Sequence, residues 1–116
     1  MQERIQVRSK IWLEVSGRPV LGEGRRTLLQ AVDEQGSILG AARLLNLPYR
    51  KAWGQLRAME ERLGLPLVKK QKGGVAGGGA RLTKEARVLL KQYSELMEGS
   101  REVVNEKFQK IFLDPR

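Results

Sequence analysis

Cysteine is absent from the 116 residues, and so is histidine. The first absence excludes disulfides and thiolate metal sites and fits a reducing compartment. The second removes the commonest general base and the commonest metal ligand, so neither a hydrolase triad nor a zinc site is expected. Aromatic residues are scarce as well: two Trp, two Tyr and two Phe. No apolar run approaches the ~18 residues of a membrane span, and "MQERIQVRSK" lacks the apolar stretch of a signal peptide. The expectation is a cytoplasmic protein of a single domain that is not an enzyme and binds no cofactor.

Charge is plentiful and unevenly placed. The chain carries a formal net charge of +9. Between Arg43 and Lys91 stand twelve basic residues against three acidic ones (Glu60, Glu61 and Glu85), and the remainder has ten of each. The whole excess therefore lies in one central stretch, and a basic field of this kind favours a polyphosphate partner.

Periodicity divides the chain. "RIQVRSKIWLEV", Arg4 to Val15, alternates in part and is rich in β-branched residues, which predicts a strand over 4–15 ended by a turn at Ser16–Pro19. Leu28, Leu29, Ala31 and Val32 make a helical stripe over 24–35 that stops at Gly36. Ser37 then serves as N-cap for a short helix with Ile38, Ala41, Ala42 and Leu45 on its apolar side, and "NLP" (Asn46–Pro48) breaks it. A second helix, 49–63, has Ala52, Trp53, Leu56, Met59 (or Glu60 beside it) and Leu63 as its buried stripe, closed by Gly64. Two short helices on a tight turn, with alanines where the axes cross, form a helix-turn-helix pattern over 37–63, although any helical hairpin shares it. The opposite face of the second helix offers Tyr49, Arg50, Lys51, Gln55 and Arg57, with Gly54 allowing close approach.

Next comes a basic, glycine-rich segment, "KKQKGGVAGGGARLT", Lys69 to Thr83, with five glycines, four cations and no acid. A nucleotide-binding reading fails on chemistry. Gly73 and Gly78 have the spacing of a phosphate loop, but Gly79 and Ala80 stand where Lys and Ser/Thr are required. Nor does a strand–helix dinucleotide fingerprint fit. The segment instead predicts a hairpin, or wing, over 67–83, either a bare mobile tip or a backbone-following element. A last helix, 84–112, begins after Thr83 and carries Ala86, Leu89, Leu90, Tyr93, Leu96, Met97, Val103, Val104 and Phe108 in its stripe, with Gly99-Ser100 as the expected bend. Its first half suits core packing and its second half a dimer contact. The fold class expected is mainly α with a small β component: a winged helix-turn-helix with a long C-terminal helix.

The stretches "GEGRRTLLQAVDEQGSILGAARLLNLPYRKAWGQLRAMEERLG" and "PLVKKQKGGVAGGGARLT", with the following "LLKQY", resemble the DNA-binding domain of ModE-type, molybdate-responsive transcription regulators, related to the winged domain of LysR-type regulators. The resemblance covers most of residues 4–93. It implies a homodimeric winged helix-turn-helix, with Tyr49, Arg50 and Lys51 opening the recognition helix and the Gly73–Gly79 hairpin as wing. Pro48 departs from the pattern, standing where such regulators often have a serine. Longer members continue into a molybdate-binding domain, whereas this sequence ends at Arg116, so no bound molybdate is expected. The functional expectation is sequence-specific binding of double-stranded DNA as a homodimer. Arg50, Lys51 and Gln55 would meet base edges and Tyr49 the groove wall. Arg43, Arg57, Lys69, Lys70, Lys72, Gly73, Gly74 and Arg81 would lie along phosphates. The alternatives are a non-specific nucleic-acid-associated basic protein and a DNA-binding module that relies on a separate effector-sensing partner.

Overall fold

A computed structural model describes residues 4–71 and 79–113. They form two compact units, one of Trp12–Leu90 and one of 4–11 with 91–113.

The first unit opens with a hairpin, β1 (Leu13–Val15) against β2 (Arg18–Leu21), antiparallel. Ser16 and Gly17 between them have φ of 52° and 77°, the pair of positive angles that a two-residue hairpin turn needs to match strand twist. The strand expected over 4–15 is thus confined to its last three residues, and the expected turn at Ser16–Pro19 shrinks to two. The reason is pairing. Alternation at Ile5, Val7 and Ile11 gives a face but no ladder, and the partner strand is only four residues long. Pro19 fits inside β2 because a two-stranded ribbon leaves its missing N–H on an open edge.

Helix α1 (Glu23–Gln35) buries Leu28, Leu29, Ala31 and Val32 and ends at Gly36, whose φ of 73° lets its N–H reach the Val32 carbonyl at 2.9 Å. Helix α2 (Ile38–Leu44) follows at once, with the Ser37 hydroxyl accepting from the Gly40 N–H at 2.8 Å. Asn46, at φ 56°, turns the chain into α3 (Tyr49–Leu63), and Gly64 closes it at φ 72°. Ala41, Ala42 and Ala52 are fully or almost fully buried, and small side chains here let the α2 and α3 backbones approach. Leu45 and Leu63 are half-buried rather than core.

The wing is β3 (Val68–Gln71) paired antiparallel with β4 (Gly79–Leu82). Three polar contacts fix its base. The Ala80 N–H donates to the Gly36 carbonyl at 2.8 Å, joining β4 to the turn between α1 and α2. Thr83 donates its N–H to Leu67 O and its hydroxyl to Pro66 O, at 2.9 and 2.8 Å. That same hydroxyl accepts from Ala86 N–H at 3.1 Å, so it also caps the next helix.

Helix α4 (Lys84–Phe108) passes into a π-helical segment, Gln109–Leu113. Ala86, Tyr93 and Met97 of its expected stripe are buried, whereas Leu96 and Val103 are exposed. The helix continues unbroken through Gly99 and Ser100, the positions noted for a bend; an isolated glycine costs a long helix only about 1 kcal/mol and need not break it. In the second unit the Tyr93 hydroxyl donates to the Ile11 carbonyl at 2.7 Å.

Candidate nucleic-acid interface

Helix α3 supplies the centre of the site. Positions 52, 56 and 59 follow one helical stripe, and Ala52, Leu56 and Met59 fill it, all buried. Trp53, expected in that stripe, is 40% exposed. It stands about 100° around the helix from Ala52 and belongs to the row Tyr49–Trp53–Arg57, spaced by four residues along the outer surface. Its apolar character suggested burial; its position one residue past Ala52 was the signal against it. The Arg57 guanidinium lies over the indole, 5.1 Å from the ring centroid, and 3.8 Å from the Glu61 carboxylate. Such stacking holds the arginine along the helix without neutralising it.

Beside this row runs Arg50–Gly54, and Tyr49, Arg50, Trp53 and Gly54 line a shallow groove. Arg50 and Lys51 are exposed, and Gln55 is half-buried. The helix begins without a side-chain cap: Pro48 precedes it, and its carbonyl accepts from Lys51 and Ala52 N–H at 3.0 and 3.1 Å. With no side-chain oxygen capping it, this N-terminal end of α3 favours an anion.

On the wing, Lys69 is the direct cross-strand partner of Arg81, and both are exposed. Like charges so placed, with Cβ atoms about 5 Å apart, oppose the pairing unless an anion lies across them. Lys70 is exposed opposite the buried Ala80, and Arg43 is exposed in the last turn of α2. Among the described residues Arg43, Arg50, Lys51, Lys69, Lys70 and Arg81 make no ion pair, while the ion pairs present engage Arg26, Arg57 and Arg87. Lys72, Gly73 and Gly74 lie outside the described residues.

Glu60, beside Met59 on the helix, has a positioning role. One of its carboxylate oxygens accepts from the N–H groups of Leu67 and Val68, at 2.8 and 3.1 Å. It ties the start of β3 to α3 ten residues beyond Arg50, about 15 Å along the axis. That separation is comparable with the ~12 Å width of a DNA major groove. At the end of the helix Arg62 donates to the Pro19 carbonyl at 2.6 Å, as does Arg25 at 3.0 Å. Burial and the adjacent Arg62 charge lower the pKa of Arg25. Neither arginine faces the groove lined by Tyr49 and Trp53.

No group of three or more His, Cys, Asp or Glu side chains that could hold a metal ion stands among the described residues. No helix of the described residues is long and apolar enough to cross a membrane.

Residues 26–87 match the family model described as bacterial regulatory helix-turn-helix protein, lysR family. The chain belongs to that family. Within this group its helix-turn-helix is similar to those of ModE-type regulators. It is 37% identical over 95 residues to the molybdenum-pterin-binding protein MopB of Rhodobacter capsulatus, covering 82% of this chain and 35% of that protein. To the transcriptional regulator ModE of Haemophilus influenzae it is 38% identical over 78 residues, 67% of this chain and 30% of that one. The chain thus spans about a third of the length of the curated relatives it matches. Among solved structures, the DNA-binding domain of CbnR in its DNA complex has a TM-score of 0.55 at 23% identity, covering 73% of this chain and 93% of that one. ArgP from Mycobacterium tuberculosis has a TM-score of 0.52 at 22% identity, covering 73% and 30%. These likenesses show the winged-helix fold of LysR-family regulators.

Proposed function

We propose that this chain binds double-stranded DNA sequence-specifically, as a homodimer, to regulate transcription. Helix α3 enters the major groove, and the wing lies along the flanking backbone. The observation that carries this reading is the exposed surface of α3. Arg50 and Lys51 make no ion pair among the described residues at its N-terminal end, the end from which a recognition helix reaches base edges. Arg50 suits bidentate contact with guanine, Gln55 contact with adenine, and Tyr49 the groove wall. Lys69, Lys70 and Arg81 suit phosphates, as do Arg43 on α2 and Arg57 on α3. The family and the fold it shares with the CbnR domain, whose structure is of a DNA complex, support the same use.

Dimerisation is supported by the second half of α4 and the π-helical segment at its end, where Val103, Ile111, Phe112 and Leu113 are exposed. The molybdenum in the names of MopA and MopB belongs to proteins about three times as long, and no molybdate site is assigned to the present residues. The experiment is selection of bound fragments from genomic DNA, then salt-titrated binding to the selected duplex, a random duplex and RNA. A shared motif with preference for the selected duplex supports the reading. Equal affinity for all three overturns it in favour of a non-specific basic protein.

A further inference from the structure

We propose that Trp53 and Gly54, with Tyr49 and Arg50 at the sides, form a notch that receives the C5-methyl group of a thymine and so select thymine at one operator position. This rests on the proposed DNA binding and adds an apolar determinant to it.

Two independent features carry the inference. Trp53 and Tyr49 are large apolar side chains left 40% and 46% exposed in the first third of the helix, on a surface otherwise set with cations. The groove they line with Arg50 and Gly54 is mostly apolar. Then there is Gly54 itself. It lies inside a helix, where glycine is unfavourable, and a Cβ built there meets no atom within 4 Å. No neighbour in the described fold requires its missing side chain. The space it leaves opens outward, toward whatever the helix docks upon.

Flanking charge identifies the occupant as part of a polyanion: Arg50 lines the groove, Arg57 lies over its indole, and Lys51, next along the helix, is exposed. Among the base edges displayed in a major groove, only thymine presents a methyl group. A methyl seated between an indole ring and bare helix backbone leaves water without losing a hydrogen bond, and Arg57, stacked on the indole 5.1 Å from its centroid, helps hold the ring in place.

Uracil substitution tests this, since deoxyuridine keeps the base-pairing and groove acceptors of thymidine and removes only the methyl. Once an operator has been selected, each thymidine is replaced singly by deoxyuridine and the affinity measured for the wild-type chain, Trp53→Ala and Gly54→Ala. The expected result is about a fourfold loss at one position per half-site, the equilibrium factor for burying one methyl-sized group. That loss should vanish in both variants, because the first removes the wall and the second fills the notch. Methyl-independent binding by the wild type at every position overturns the proposal, and that comparison stands even if a variant fails to fold. A methyl effect that survives intact in both variants overturns it too. If no operator emerges from selection, the DNA reading falls and the notch with it.

Discussion

Replacing Gly54 with alanine sets the stability of the protein against its function, and the two effects can be estimated separately. Gly54 is the sixth of fifteen residues in α3, with no cap nearby and a Cβ site that meets nothing within 4 Å. Alanine therefore gains the full difference in helix propensity, about 0.8–1 kcal/mol, with no packing penalty. For a chain of this size that raises Tm by about 3–6 °C. Thermal unfolding monitored by circular dichroism reads the shift directly. On DNA the same methyl occupies space that a base edge needs. Overpacking of a close contact costs about 1–3 kcal/mol, so operator affinity should fall at least ~5-fold. The expected signature is a more stable protein that binds less well. A fall in Tm would refute the claim that the position is open within the fold. An unchanged operator affinity at higher Tm would refute the claim that the position faces DNA.

The other predictions concern different parts of the fold. Gly40→Ala makes the same exchange with the opposite sign, because its Cβ would lie 2.8 Å from Ser37 Oγ and 2.9 Å from Gln35 Cβ; loss of the cap and the clash should outweigh propensity and destabilise by about 1 kcal/mol in a denaturant titration. Glu60→Ala leaves the Leu67 and Val68 N–H groups without their acceptor, and should cost about 1–3 kcal/mol of stability, with Glu60→Gln, which keeps an oxygen acceptor, recovering part of it. Lys69→Ala relieves the repulsion with its cross-strand partner Arg81, so it should leave Tm unchanged or slightly higher. It should also weaken every duplex alike and reduce the slope of log affinity against log salt by about 0.9.

Elements written in local chemistry were legible in the sequence. Gly36, Ser37 and Gly64 each act through their own backbone or hydroxyl, and they bound α1, α2 and α3 as their types predict. The exposed cations of α3 and the wing were legible too, because charge seeks water wherever the helix turns it. What failed depended on partners distant in sequence. Residues 5–12 have a strand-like pattern but, among the described residues, no strand to pair with, and β2 was hidden by a proline that only an open edge tolerates. Trp53 was assigned to the core on hydrophobicity, although its angular offset from Ala52 and Leu56 argued for the surface. Glu60 was read only as an alternative to Met59 in the stripe, and its contact with Leu67 and Val68 becomes visible only when the chain folds back after Gly64.

If the exposed side of α3 chooses the sequence while the wing only holds the backbone, Arg50→Ala must change selectivity and not affinity alone. The quantity to measure is the ratio of operator to random-duplex affinity, for Arg50→Ala and for the wild-type protein, at one fixed salt concentration. The ratio should fall by the equivalent of about 1–3 kcal/mol, with discrimination relaxed at a single base position. A ratio equal to that of the wild-type protein would show that the sequence is chosen elsewhere.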